Sequence, residues 1–535
     1  MSSEHIEVAP NFQEARRRFQ ERFSVLPLAN SVDGRTFSFR GPLTLYLNPG
    51  AYVRITTNDG VALLGQVHER ALFDIEGPEV KITDESADLG EHGISVNEAR
   101  IRLQSSIVRG SGVILYQIAP TPGPSTLPGF ADAEISLPSA ADLEINHAQW
   151  AKGRSTLEIG GMRGADVDLP ALIDARGFNR HTFLCGQSGS GKTYSLGVVL
   201  EQLLMHTNLR VAVLDPNADY VRLGKLNAAR AKAADEGVGK DDVARFERRL
   251  SDLQVLRPHA DAGDGSEPLR IRYSDLSRDD QAKVLSLDPL DDREEYEASR
   301  KLAHSLGGNG YDLGEFQQAG LSDLSVATRQ LLLRIANLGV DEWTVWAHEG
   351  QASLADRLNA DWRSIVLDVS RFERPIERSV VALAMLRHFW NKRESREPVL
   401  LVIDEAHNVC PDQPMDPIQQ AATELAISIA GEGRKYGIYL LLSTQRPDKL
   451  HPNVVSQCDN LILMRMNSVI DLGDLQRIFS FVPAAIISES LAFKQGEALI
   501  AGKLVATPLL AKMGRRFSEE GGADVPTTWA NSVDL

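Results

Sequence analysis

Gly186-Gln187-Ser188-Gly189-Ser190-Gly191-Lys192-Thr193 fits the pattern GxxxxGK[ST] at every fixed position. The glycines let the backbone curl so that successive N–H groups converge on phosphate oxygens. Lys192 carries a mobile positive charge to the β- and γ-phosphates of a nucleotide, and the Thr193 hydroxyl can ligate Mg2+. Upstream, Phe183-Leu184-Cys185 is an apolar strand. Downstream, Leu196, Val199, Leu200, Leu203 and Leu204 recur at helical spacing, so a helix starts where the loop ends and turns its positive end to the phosphates. All eight loop residues are candidate ATP-binding residues.

Working outward, apolar segments alternate with helical ones, which predicts an α/β fold with a parallel sheet. Core strands are expected at 182–185, 211–214, 365–369, 399–403, 438–443 and 460–464. The strand Val399-Leu400-Leu401-Val402-Ile403 ends in Asp404 and Glu405. Carboxylates at the tip of a buried strand need a compensating partner, which a metal–nucleotide complex provides. Asp404 is placed to hold Mg2+, and Glu405 to polarise a water for attack on the γ-phosphorus. A second apolar strand, Leu440-Leu441-Leu442, runs into Ser443-Thr444-Gln445-Arg446-Pro447. Gln445 can sense the γ-phosphate or orient the attacking water, and equally can be a satisfied turn residue. Arg434, in Gly431-Glu432-Gly433-Arg434-Lys435-Tyr436-Gly437, is a candidate arginine finger or a plain surface arginine.

The rest of the chain divides by composition. Residues 1–23 form a helical arm, with Phe12, Ala15, Phe19 and Phe23 at helical spacing around Arg16, Arg17 and Arg18. Residues 24–125 read as a small antiparallel β-barrel, with hairpins turning at Asn58-Asp59-Gly60 and at Gly110-Ser111-Gly112. Residues 126–150 read as a linker, since Pro120 to Pro138 is rich in Pro, Gly and Ser. The core then occupies 151–224 and 360–510, a mainly helical insertion 225–359, and a C-terminal tail 511–535.

The formal net charge of −16 argues against a basic surface spread over the whole molecule; a ring can still hide a local one in its channel. Arg222, Lys225, Arg230 and Lys232 are basic positions that fit either a DNA contact or a solvated helical face, and none is singled out as a site. Cys185, Cys410 and Cys458 show neither zinc nor disulfide spacing. Apolar runs are too short for a bilayer and the N-terminus lacks a signal-peptide pattern, so a cytoplasmic protein without membrane contact is expected.

Taken together, GQSGSGKT at 186–193, LLVIDEAH at 400–407, GEGRKYG at 431–437 and STQRP at 443–447 resemble the HerA branch of the HerA/FtsK ATPases. The N-terminal β-rich segment is similar to the HAS-type barrel that precedes the RecA-like core in that family. One departure is Asp215-Pro216-Asn217-Ala218-Asp219-Tyr220, where the family reads Asp-Pro-His-Gly-Glu-Tyr. The resemblance implies a hexamer that threads double-stranded DNA using ATP and serves an effector, either a nuclease or a sirtuin-like NAD hydrolase, including in anti-phage defence. A nucleotide-regulated scaffold that activates an effector without processive movement fits the same motifs. No LSGGQ-like segment is present to suggest an ABC ATPase.

Overall fold

The computed structural model describes residues 7–9, 17–19, 25–45, 47–82, 99–118, 127–163, 168–236, 239–259, 265–307, 310–323 and 325–521. Of the expected helical arm, Arg17–Phe19 is described and is helical; Phe12, Ala15, Arg16 and Phe23 lie outside the described residues, as does the chain past 521. The chain forms two compact units. One holds Met1–Lys152, Gly164–Leu169 and Pro483–Glu489, and the other holds Gly153–Arg163, Pro170–Val482 and Ser490–Leu535.

The first unit contains β1 (Glu7–Ala9), β2 (Leu28–Ser31), β3 (Thr36–Pro42), β4 (Tyr52–Thr56), β5 (Ala62–Ile82), β6 (Ala99–Gln117) and β7 (Phe130–Ser136). They pair in the order β1-β5-β4-β7-β2-β3-β6, and β6 pairs again with β5, so the pairings of six strands return on themselves. Alternation along β3 turns Phe37 and Phe39 inward, where they meet Val53, Ile55, Leu63, Val67, Val108 and Ile135. The Asn58-Asp59-Gly60 turn joins β4 to β5, with Thr56 opposite Ala62.

Gly110-Ser111-Gly112 differs from the expectation, because it lies inside the continuous strand β6. These glycines make room rather than a turn. A Cβ on Gly110 would stand 2.5 Å from the Phe39 ring, and one on Gly112 2.5 Å from the Phe37 ring. The stretch expected to be a linker also carries structure. β7 pairs with β2 and β4, and a helix at Ala140–Ala151 opens on a Ser139 capping box.

The second unit is built on one sheet of twelve strands: β8 (Thr156–Met162), β9 (Pro170–Asp174), β10 (His181–Cys185), β11 (Arg210–Asp215), β12 (Gln254–Arg257), β13 (Glu267–Pro268), β14 (Ser364–Asp368), β15 (Val399–Ile403), β16 (Ile438–Thr444), β17 (Cys458–Leu463), β18 (Glu497–Gly502) and β19 (Leu509–Met513). Their order is β13-β12-β14-β11-β15-β16-β10-β17-β18-β19-β8-β9, parallel from β13 to β17 and antiparallel thereafter. The six strands expected from the sequence are β10, β11, β14, β15, β16 and β17. Every residue of β10, β14 and β15 is buried, which is why they read as unbroken apolar runs.

Two expected boundaries fall elsewhere. The insertion contributes β12 and β13 to the sheet edge alongside its helices, such as Arg293–Ser305 and Val326–Leu338. The expected tail begins inside β19, which is paired on both sides. Among the described residues no helix is long and apolar enough to cross a membrane, and all three cysteines are free and buried.

Candidate functional site: a phosphate cradle facing two carboxylates

The loop after β10 leads into a helix at Lys192–His206. Gly189 and Gly191 sit at φ 72° and 90°, a left-handed backbone that L side chains avoid and glycine adopts freely. Gly191 is the helix N-cap and has no side chain to occupy the first-turn N–H groups, which are left for a ligand. Leu196, Val199, Leu200, Leu203 and Leu204 are buried and fix the helix against the sheet.

Strand order decides what faces this loop. β16 lies between β10 and β15, so one strand separates the phosphate loop from the acidic tip. Lys192 Nζ reaches across to Asp404 Oδ1 at 2.7 Å and Glu405 Oε1 at 3.1 Å. Ser443, on the intervening strand, completes the triangle: its Oγ donates to Asp404 Oδ1 at 2.7 Å and accepts from Lys192 Nζ at 3.0 Å. Gln445 Nε2 donates to Glu405 Oε1 at 2.9 Å. His407 Nδ1 stands 3.0 Å from Thr444 Oγ1 and 3.4 Å from Glu405 Oε2. Lys192, Asp404, Glu405 and Gln445 are thus brought together.

Electrostatics hold Lys192 in its charged form. Burial alone would lower the Lys192 ammonium, but Asp404 and then Glu405 outweigh it and keep it above its usual range. Burial pushes the His407 imidazole down, against the raising effect of Glu405. Glu405 adopts φ 45°, a strained backbone for a non-glycine residue, and this conformation presents its carboxylate beside that of Asp404. Asp404 Oδ2 and Glu405 Oε2 are both buried without a hydrogen-bond partner. Such orphaned carboxylate oxygens suit a cation and a water.

Asp215 does not join this cluster. Its carboxylate accepts from the backbone N–H groups of Asn217, Asp219 and Tyr220 at 3.2, 3.0 and 2.8 Å, and so caps the strand tip. Burial pushes it up to about 7 even though the Tyr220 and Asp219 donors oppose the shift. Asp219 lines the same cavity as the phosphate loop. That cavity, of about 780 Å3, runs from Gln187–Gly189, Gly191–Thr193, Asp219 and Gln445 to Tyr194, Gln495, Gly496, Lys512–Arg515 and Glu520.

Arg434 lies elsewhere. It precedes β16, so it sits at the N-terminal edge of the parallel strands, whereas the phosphate loop follows the C-terminal end of β10. Five residues of strand rise about 16 Å, which separates Arg434 from its own chain's cradle. Arg434 Nη1 pairs with Asp459 Oδ2 at 3.2 Å, and Arg180 Nε pairs with the same oxygen at 3.2 Å. Arg434 is half exposed. Arg222 pairs with Glu519, and the Arg230 guanidinium lies 4.4 Å from the centre of the Phe517 ring. Both therefore serve packing of the C-terminal segment.

Sequence reading missed Ser443 and His407. Ser443 was visible only as part of a polar cluster, and its role depends on strand order. His407 carried one signal, its place three residues after Asp404.

A glycine-rich loop on a helix N-terminus, facing paired acids across one intervening strand, defines a P-loop ATPase of the α/β, RecA-like kind. Residues 157–330 match "Helicase HerA, central domain" and residues 353–466 match "ATPase family associated with various cellular activities". Over 506 residues, 87% of each chain, the sequence is 21% identical to the DNA double-strand break repair helicase HerA of Pyrococcus furiosus. Through these matched stretches the chain is similar to the HerA-type helicases, and it is an ATPase of the DNA translocase and helicase type. A second relative, the DNA double-strand break repair helicase HerA of Sulfurisphaera tokodaii, is 23% identical over 410 residues, 74% of this chain and 76% of that one. The structure of VirB4 of Thermoanaerobacter pseudethanolicus is similar over 68% of this chain and 97% of that one, with 16% identity and a TM-score of 0.48.

Proposed function

We propose that this chain is one subunit of a hexameric ring that threads double-stranded DNA and moves along it by hydrolysing ATP. The observation that carries this reading is the separation of Arg434 from the cradle of its own chain. A cation at that edge serves catalysis only by entering a neighbour's site, and a closed ring supplies a neighbour for every site.

In the proposed reaction the amides of 186–193 and Lys192 hold the triphosphate. Lys192 turns from the two carboxylates toward the β- and γ-phosphates as ATP enters. Glu405 takes a proton from water while the water oxygen attacks the γ-phosphorus and the bond to the β–γ bridging oxygen breaks, releasing ADP and phosphate. Gln445, hydrogen-bonded to Glu405, orients that water. A Mg2+ ion bound with ATP would be held by Thr193 and Asp404, and would neutralise charge on the phosphates.

Track length tests movement. The ATPase rate is expected to rise with duplex length in steady-state phosphate release at fixed total base pairs, because short tracks end each run early. A rate independent of length would favour a nucleotide-regulated scaffold over a translocase.

We further propose that the first unit docks an effector, a nuclease or a sirtuin-like NAD hydrolase, in DNA processing or anti-phage defence in the cytoplasm. Its support is a separate core that contains none of the ATPase residues. Removing residues 1–152, which takes β7 with the rest of its sheet, is expected to abolish effector co-purification while ATP binding persists. Unchanged co-purification would refute the docking role.

A further inference from the structure

The phosphate end of the cavity is marked by Lys192, Gln445 and the loop residues Gln187–Gly189, Gly191 and Thr193, leaving the stretch past the first helical turn without an assigned occupant. That stretch is bounded by Tyr194, Gln495, Gly496, Lys512–Arg515 and Glu520. A triphosphate alone does not fill a cavity of about 780 Å3. The group attached to its α-phosphate must leave the cradle along this wall.

The wall is a strap held in place from beneath. After β19 the chain crosses the outer face of the helix Lys192–His206. Arg516 Nε pairs with Glu201 Oε1 at 3.2 Å, and both side chains are buried. Glu201 also accepts from the backbone N–H groups of Phe517 and Ser518, at 2.7 and 3.0 Å. The Tyr194 hydroxyl accepts from Arg516 N at 2.9 Å. Gly197 leaves room for the Arg516 guanidinium, which a Cβ there would strike. Phe517 stacks on Phe246 at 6.0 Å, and the strap ends against the loop after β11, where Glu519 N donates to Lys225 O at 2.9 Å.

Within this fixed frame Arg515 stands out. Its carbonyl is held by Arg230 Nη2 at 2.8 Å, which anchors its backbone, and the residue is exposed and among those lining the cavity. Lys192 is committed to Asp404 and Glu405, and the Lys512 ammonium donates to Gln495 O. Among the described residues the Arg515 guanidinium has no recorded ion-pair or hydrogen-bond partner. A planar cation on a rigid backbone is suited to lie against a purine face.

We propose that the strap Gly514–Glu520 is the nucleoside-binding wall of this site, and that Arg515 holds the purine ring of ATP against it. The proposal rests on the reading of the cradle as the ATP site, and deepens it by naming what binds the nucleoside half. Inorganic tripolyphosphate, which has phosphates but no nucleoside, separates the two.

The intact chain would be loaded with a fluorescent ATP analogue and titrated with ATP or with tripolyphosphate. Arg515→Ala is expected to weaken ATP about tenfold and to leave tripolyphosphate unchanged. Arg515→Lys should recover only part of the loss, since an ammonium lacks the plane. Equal weakening of both ligands, or of neither, overturns the proposal. If the wild-type chain binds neither ligand, as Lys192→Ala is expected to, the cradle reading falls and this one with it.

Discussion

Glu405→Gln is expected to keep ATP bound while slowing phosphate release by roughly 10^2- to 10^4-fold, the usual worth of a positioned general base. Glutamine has the same shape, so the strained backbone at φ 45° and the packing around it need not change. The hydrogen bond from Gln445 Nε2 also survives, because the new side-chain oxygen still accepts. What disappears is the proton acceptor. One of the two carboxylates that hold Lys192 is lost as well, which frees the ammonium for phosphate and favours binding over its loss. Equilibrium binding of a fluorescent ATP analogue, set beside single-turnover phosphate release, separates the two effects. Normal turnover in this variant would remove Glu405 from the chemistry; loss of binding together with turnover would make it a structural residue.

The parts of this site that were legible in the sequence are those whose chemistry depends on neighbours along the chain. The eight residues 186–193 must be contiguous to cradle phosphates, and Asp404 and Glu405 must end a buried strand. Both requirements leave a linear pattern. Ser443 left none. It matters because β16 is inserted between β10 and β15, which puts its hydroxyl between Lys192 and Asp404, residues 251 and 39 positions away.

The strap was illegible for the same reason. Arg516 and Glu201 meet across 315 residues, and nothing in Arg515-Arg516-Phe517-Ser518 says that it will lie on the phosphate-loop helix. The glycines of β6 show the opposite error. Gly-Ser-Gly reads as a turn by local propensity, yet Gly110 and Gly112 are there because two phenylalanine rings need the space. Short strands such as β12, with only Val255 and Leu256 apolar, carry too few residues for a period of two to show.

Arg434→Ala is expected to cost on the order of a thousandfold in turnover if Arg434 enters the neighbouring site, while barely changing stability. The stability argument is direct. Arg434 is half exposed and pairs with Asp459 at the surface, a contact worth about 1 kcal/mol or less, and Arg180 remains to pair with the same carboxylate. The catalytic argument needs an experiment that distinguishes a trans contribution from an indirect one. Arg434→Ala chains keep an intact Glu405, and Glu405→Gln chains keep an intact Arg434. If each site is assembled from both neighbours, co-assembling the two inactive variants creates interfaces with a glutamate from one chain and an arginine from the next. Turnover then returns in the mixture above either parent. A mixture no more active than its parents, with co-assembly verified by pull-down of differently tagged chains, would show that Arg434 does not complete a neighbour's site.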